Sequence, residues 1–168
     1  MKISIDIRQQ TLSVEKDGHI ICSYPVSTAK NGSGEQNGSG CTPAGLHKIR
    51  IKIGHDAPPG SVFVGRRPTG EVWSPELARQ HPQRDWILSR ILWLAGCETG
   101  VNRGGDVDTL RRLIYIHGTA DDQPMGMPLS HGCIRMRNYD VIELFDRVPV
   151  GALVDIRAGV RRHTDEAP

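Results

Sequence analysis

Short runs in which apolar and polar residues alternate constrain the fold of this chain more than any other feature of its sequence. The first run, over residues 2–8, places Ile3, Ile5 and Ile7 on one face of an extended segment, which is the period-two pattern of a half-buried strand. Further strands are predicted at 11–16, 20–26, 46–53, 61–65, 87–95, 112–117 and 152–157. Many strands and few helical patterns predict a mainly β (α+β) fold, a β-sandwich or open barrel with one or two helices.

Two helices are predicted from the residues that begin them. Ser74 stands before Pro75 and a short helical run, and a serine N-cap followed by proline in the first turn is a typical start. Asn138 is predicted to cap a second helix over 139–147. The apolar face of that helix comprises Val141, Leu144, Phe145 and Val148.

Two long segments are predicted to be loops. Residues 27–41 are rich in Gly, Asn and Ser, a composition typical of a mobile, solvated loop, with a flap near the site as the alternative. In the second loop, residues 96–108, Glu98, Asn102 and Arg103 are candidates for lining a substrate groove. Ordinary solvated loop residues are the alternative there.

Composition excludes some classes of partner. A length of 168 residues favours one domain. The net charge of +2, from 21 basic and 19 acidic residues, argues against a nucleic-acid partner. No stretch of the sequence approaches the roughly 18 apolar residues of a membrane span.

The first residues of the sequence indicate the cellular compartment. Met1 is followed directly by the first predicted strand rather than by the continuous apolar run of a signal peptide. We therefore expect a cytoplasmic location, or a periplasmic one if the N-terminus was trimmed. Cysteines in the cytosol stay reduced, and the wide spacing of Cys22, Cys41, Cys97 and Cys133 shows no zinc-binding pattern.

Reactive side chains concentrate in residues 129–136. Cys133 lies behind Ser130, His131 and Gly132 and ahead of Arg135. A predicted strand upstream ends at His117. Only the thiolate of cysteine attacks well, and its usual pKa of about 8.5 leaves it mostly protonated at neutral pH. A cysteine with a histidine elsewhere in the chain therefore suggests a thiol nucleophile and its base.

The neighbours of Cys133 suggest further roles. Gly132 permits a tight turn, around which successive backbone amides can form an oxyanion hole. Arg135 could hold a carboxylate through two hydrogen bonds.

Other interpretations stay open for these residues. Cys133 could be a small buried apolar residue. Together with His117 and His131 it could bind zinc, although a fourth ligand is missing from the pattern. His131 alone could make a structural hydrogen bond, Arg135 a surface salt bridge, and Ser130 a hydrogen bond within the turn.

The motifs resemble those of a known family. His117-Gly118 followed by Ser130-His131-Gly132-Cys133-Ile134-Arg135 resembles the signature of the L,D-transpeptidase catalytic domain, the YkuD family. Thr42-Pro43-Ala44-Gly45 resembles its Thr-Pro-x-Gly element, and residues 150–156 resemble its closing strand. The resemblance covers residues 1–157 and leaves a polar tail at 158–168, in which Arg161 and Arg162 lie. The segment 118–129 is shorter than in many members.

The resemblance implies a site and a reaction. Cys133 would attack the carbonyl between diaminopimelate and D-alanine in a murein tetrapeptide, His117 would assist, and the Gly118 carbonyl would orient the imidazole. The amides of His131, Gly132 and Cys133 would form the oxyanion hole. Arg135 and Ser130 would bind the substrate, and no metal or cofactor would be needed.

The resemblance does not identify the acceptor of the acyl group. Transfer to water would make the chain an L,D-carboxypeptidase that trims tetrapeptide to tripeptide, and transfer to an amine would form 3→3 cross-links. The expected cytoplasmic location favours hydrolysis of recycled murein peptides. A non-catalytic module that binds muropeptides is a further alternative, and the sequence does not report the oligomeric state.

Overall fold

The computed structural model describes residues 1–159, which form one large sheet and two short α-helices. The strands are β1 (Lys2–Asp6), β2 (Thr11–Lys16), β3 (His19–Pro25), β4 (Gly45–Ile53), β5 (Ser61–Val64), β6 (Arg67–Val72), β7 (Ile87–Gly96), β8 (Tyr115–Gly118), β9 (Ile134–Met136) and β10 (Leu153–Arg157). The helices are α1 (Pro75–Gln80) and α2 (Asn138–Arg147), and Gly105–Val107 form a 3₁₀ turn. The predicted tail at 158–168 lies, from residue 160 onward, outside the described residues.

All ten strands belong to one sheet that does not close into a barrel. Its first strands run in the order β3-β2-β1-β10-β4-β7. β4 and β5 follow one another along one edge of β7, and β8 pairs with the opposite edge. β9 then adds to β8 in parallel. The prediction of a mainly β fold, a β-sandwich or open barrel with one or two helices, is confirmed, with two helices and a sheet that is not closed.

The core lies on one face of the first strands and under α2. Alternate residues of β1 and β2 are fully buried, as the period-two pattern predicts. α2 packs on β7 and β8. The largest buried side chains of this core are Ile3, Ile5, Leu12, Ile49, Leu92, Leu94, Ile116, Ile134, Met136 and Leu144.

Two strands and one boundary escaped the sequence prediction. β6 contains Pro68 and Gly70, which are turn formers, but the strand pairs only with β5 at the edge of the sheet, where proline is tolerated. β9 has only three residues. The strand predicted at 112–117 begins at Tyr115, since Leu113 has a positive φ of 59° and ends a turn.

The starts of the two helices differ from each other. Ser74 caps α1 as predicted, because its side chain accepts a hydrogen bond from the Leu77 amide at 3.1 Å. The prediction that Asn138 caps α2 is wrong. Arg137 occupies that position without a side-chain hydrogen bond. The Asn138 amide points inward, where its Nδ2 donates to the Thr119 carbonyl at 2.9 Å.

The loop predicted at 27–41 is partly exposed, as expected, but it is held in place by hydrogen bonds. Ser27 exchanges two 2.9 Å backbone hydrogen bonds with Arg135 of β9. The Arg112 guanidinium donates to three carbonyls of the loop, those of Gly34, Glu35 and Cys41, at 3.1, 3.0 and 2.7 Å. The segment therefore lies beside β9, near the site, as the alternative of a flap near the site requires, but these hydrogen bonds anchor it.

The second predicted loop also holds structural side chains. Asn102 is fully buried, and its Nδ2 donates to the carbonyls of Ala44 and Leu46 at 3.1 and 3.2 Å. Glu98 accepts a hydrogen bond from the Leu46 amide at 2.6 Å. Both side chains thus bond to the backbone at the start of β4, and Arg103 lines a 340 Å³ cavity with Lys48 and Arg50. Within residues 1–159 no helix is both long enough and apolar enough to cross a membrane.

Candidate active site

The parallel pairing of β8 with β9 determines which side chains meet. Ile116 pairs with Ile134, and His117 pairs with Arg135. Paired residues of adjacent strands point to the same face of a sheet, and successive residues alternate. Ile116 and Ile134 are fully buried in the core, so His117 and Arg135 lie on the opposite face. Cys133, two residues before Arg135, falls on that same face.

The thiol of Cys133 is half-buried and held at two points. The Tyr115 amide donates to Sγ at 3.3 Å, and Sγ donates to the Leu113 carbonyl at 3.4 Å. Burial raises the pKa of Cys133 to about 12, against the opposing effects of the Tyr115 hydrogen bond and of Arg135 and Arg112. Asp85 raises the pKa further. The resting side chain is therefore a neutral thiol.

The imidazole of His117 is buried and fixed in one tautomer. Its Nδ1 lies 2.6 Å from the Gly118 carbonyl, and a carbonyl can only accept, so Nδ1 carries the proton and the lone pair is on Nε2. Burial lowers the pKa of His117. The resting imidazole is therefore neutral, with a free nitrogen able to take a proton from a thiol.

Ser130 shapes the turn before Cys133. Its hydroxyl is buried, donates to the Cys133 carbonyl at 2.5 Å and accepts from the Gly132 amide at 3.2 Å. Both contacts lie within the turn, which is the alternative role expected for Ser130, and its binding of substrate stays a prediction.

The hydrogen bonds of this turn reduce the number of backbone amides that are free to form the expected oxyanion hole. The Gly132 amide already donates to Ser130, so it is not a free donor. Among residues 1–159, the amides of His131 and Cys133 have no hydrogen-bond partner within the chain. These two amides are the ones that can stabilise an oxyanion.

Thr42 supports the turn from the neighbouring loop. Its buried hydroxyl donates to the Gly132 carbonyl at 2.8 Å and accepts from the Ala29 amide at 3.0 Å. Gly45, three residues later, has a φ of 95°, and a Cβ there would overlap the Glu98 carboxylate. The Thr-Pro-x-Gly element thus joins the loop at 27–41 to the turn that carries Cys133.

Arg135 is already paired with a carboxylate of the chain. Its Nη2 lies 3.0 Å from Asp85 Oδ1, and its Nη1 donates to the Leu129 carbonyl at 3.3 Å. The His131 Nδ1 lies 3.6 Å from the other oxygen of Asp85. Arg135 is thus neither a free substrate-binding cation nor one half of an exposed salt bridge, since its side chain is only 9% exposed.

Sequence reasoning missed Asp85 and Arg112. Asp85 stands in the connection between α1 and β7, and Arg112 just before β8. Asp85 contacts Arg135 and Arg112 contacts Cys41, and each pair is distant in sequence. No local pattern of residue types marks either of them.

Aromatic side chains lie beside Cys133 on the same face of the sheet. Trp93 and Tyr115 meet edge to face with ring centroids 5.6 Å apart. The Arg66 guanidinium lies 5.0 Å from the Trp93 ring and donates to the Tyr115 hydroxyl at 3.2 Å. In residues 1–159, no three His, Cys, Asp or Glu side chains come together as a metal site would require.

Comparison with known proteins gives a consistent result. A family model described as the L,D-transpeptidase catalytic domain (YkuD) matches residues 1–156. The chain is similar to the probable L,D-transpeptidase ErfK/SrfK of Salmonella typhimurium, with 33% identity over 123 residues, 68% of this chain and 39% of that protein. It is also similar to the probable L,D-transpeptidase YbiS of Escherichia coli K12, with 32% identity over 104 residues, 61% of this chain and 34% of that protein.

The solved structures show the same fold. An L,D-transpeptidase from Mycobacterium smegmatis matches 93% of this chain and 58% of its own, with a TM-score of 0.52 and 22% identity. The chain spans less than two fifths of the length of the curated relatives above, between 34% and 39%.

Proposed function

The chain belongs to the L,D-transpeptidase catalytic domain (YkuD) family, and from that premise we propose that it cleaves the diaminopimelate–D-alanine bond of murein peptides through Cys133. One observation carries the proposal. His117 and Cys133 lie on the same face of adjacent parallel strands, and the hydrogen bond to Gly118 leaves Nε2 of His117 free. This arrangement supplies a nucleophile and its base.

The first half-reaction forms a thioester. The Cys133 thiol gives its proton to Nε2 of His117 as Sγ attacks the carbonyl carbon of diaminopimelate. The carbon–nitrogen bond then breaks, and the His117 imidazolium returns the proton to the departing amine of D-alanine. Because both groups are neutral at rest, proton transfer accompanies the attack rather than preceding it.

Backbone amides and nearby cations stabilise the charge that develops. The free amides of His131 and Cys133 are the proposed donors to the oxyanion, and losing one such donor typically costs about 10²–10³ in rate. Arg135 and Arg112 lower the pKa of the Cys133 thiol and so favour its ionisation, whereas Asp85 opposes it.

We propose water as the acceptor of the acyl group, which makes the chain an L,D-carboxypeptidase that trims tetrapeptide to tripeptide in peptidoglycan recycling. The half-buried thiol is consistent with an approach from solvent. A cytoplasmic location is part of this proposal and is tested by fractionating cells that express the gene. The names of the curated relatives favour a second candidate, a transpeptidase that forms 3→3 cross-links.

Product analysis distinguishes the two acceptors. Purified protein is incubated with a tetrapeptide ending in diaminopimelate–D-alanine, with and without excess acceptor peptide, and the products are identified by mass spectrometry. Tripeptide and free D-alanine are expected, and a dimeric peptide would favour the transpeptidase. A Cys133→Ala protein serves as the control, and unmodified tetrapeptide held in a stable complex by both proteins would instead indicate a muropeptide-binding module.

A further inference from the structure

The connection between α1 and β7 forms one wall of a cavity that the proposed mechanism does not use. The cavity has a volume of about 230 Å³. His131 and Arg135, two residues before and two residues after Cys133, line one side of it. The lining on the other side includes Arg84, Asp85, Trp86 and Gln123.

The cations of this cavity are already neutralised. Arg135 pairs with Asp85 at 3.0 Å, and Arg84 pairs with Glu71 at 2.9 Å. The Arg84 guanidinium also lies over the Trp86 ring, 5.3 Å from its centroid. Neither guanidinium is therefore free to attract a carboxylate of a ligand.

The exposed half of the Asp85–Arg135 pair is the carboxylate. The Asp85 side chain is 49% exposed, whereas the Arg135 side chain is 9% exposed. The more accessible charge of this pair is therefore the negative one. Since a carboxylate offers about four lone-pair sites, Asp85 can accept further hydrogen bonds beyond the one from Arg135.

An alkylammonium group fits these features. An ammonium has three donors and no acceptor, so it complements the exposed oxygens of Asp85. The side-chain carbonyl of Gln123 could accept another of its hydrogen bonds, and the Trp86 ring supplies an apolar wall for the methylene groups behind the charge. Diaminopimelate also carries a carboxylate on the same carbon as this ammonium; Asp85 would repel that carboxylate, which therefore points away from Asp85.

We propose that Asp85 binds the side-chain ammonium of the diamino acid whose carbonyl Cys133 attacks. The inference rests on the proposed function, because it assigns a specificity residue to that substrate. Arg135 is then a positioning residue, which holds the Asp85 carboxylate at the edge of the site. Peptides whose side-chain amine is free are preferred over peptides in which it is acylated.

A binding measurement on thiol-free protein tests the assignment. Cys133→Ala protein is titrated calorimetrically with two tetrapeptides, one with a free side-chain amine and one with that amine N-acetylated. The free amine is expected to bind about tenfold more tightly, the range of a hydrogen bond between charged groups. Adding Asp85→Asn should remove the preference. Asp122→Asn, which removes an exposed carboxylate from the neighbouring cavity, should keep it.

Two results would overturn the inference: equal affinity for both peptides while Asp85 is intact, or an unchanged preference after Asp85→Asn. A second measurement needs no substitution at Asp85. At about 1 M salt the Debye length falls to about 3 Å, so the preference should shrink, and a preference independent of salt would also count against the assignment. Because binding is measured without turnover, failure of the wild-type protein to release D-alanine would refute the proposed function separately.

Discussion

The Thr42 hydroxyl donates a 2.8 Å hydrogen bond to the Gly132 carbonyl, ninety residues further along the chain. Thr42 also accepts the Ala29 amide at 3.0 Å and is fully buried. The turn that carries Cys133 is therefore held both by Thr42, from a distant part of the chain, and by the hydrogen bonds of its own residue Ser130.

Replacing Thr42 by valine should destabilise the protein and slow acylation of Cys133. The substitution keeps the shape of the side chain but leaves a buried amide and a buried carbonyl unpaired, at a cost of about 1–3 kcal/mol for each. Denaturant unfolding and the rate of D-alanine release check both effects. Thr42→Ser, which keeps the hydroxyl, is the matched control, and equal behaviour of the two variants would contradict this role.

Ser130→Ala should act on the turn rather than on substrate affinity. The hydroxyl bonds the Cys133 carbonyl and the Gly132 amide, so its loss should lower the free energy of unfolding by about 1–3 kcal/mol and reduce kcat. Steady-state kinetics separates kcat from KM. A raised KM with unchanged stability would instead support a substrate-binding role for Ser130. Ser23→Ala, at an exposed position of β3, is the control for the loss of a serine hydroxyl elsewhere in the chain.

Arg112→Gln should loosen the loop at 27–41. Three carbonyls lose their charged donor, so hydrogen exchange of the backbone amides over 34–41 should become faster. Arg111→Gln removes the same charge from an exposed neighbour and should leave the exchange unchanged. Slow exchange in both variants would mean that the Thr42 contacts alone hold the loop.

The pH dependence of kcat/KM should have one acid limb. Burial lowers the pKa of His117 below 6.5, and the protonated imidazole cannot accept a proton, so activity should fall as the pH drops through that lowered pKa. Because the pKa of Cys133 is raised to about 12, activity should stay level through about pH 8.5, where an ordinary thiol would ionise. A second rise near that pH would show that a preformed thiolate reacts instead.

Elements with a strong repeating pattern were predictable from the sequence. The alternating residues of β1 and β2 predicted the positions of both strands to within two residues, and Ser74-Pro75 predicted the start of α1. β9 could not be predicted, because three residues are too few for a periodic signal. Asn138 has the residue type of a cap, yet its amide is used in the core by Ser89 and Thr119.

The site was predictable only where the chemistry is local. Residues 129–136 bring Ser130, Gly132 and Cys133 together by adjacency. The ion pair between Arg135 and Asp85 was not predictable, since Asp85 lies fifty residues away in sequence and only the tertiary fold brings the two side chains together. The ordering of 27–41 likewise depends on Arg112, which no turn propensity in the loop itself reveals.

The attack of Cys133 is tested most directly by intact-protein mass spectrometry during turnover of the tetrapeptide. The wild-type protein should gain the mass of the peptide minus D-alanine, as a thioester on Cys133, and the D-alanine released should equal the thioester plus the free tripeptide. Cys133→Ala should gain nothing, and His117→Gln, which lacks the base, should acylate at least about 10²-fold more slowly. Release of D-alanine by the Cys133→Ala protein at the wild-type rate, or an adduct on another residue, would contradict the account.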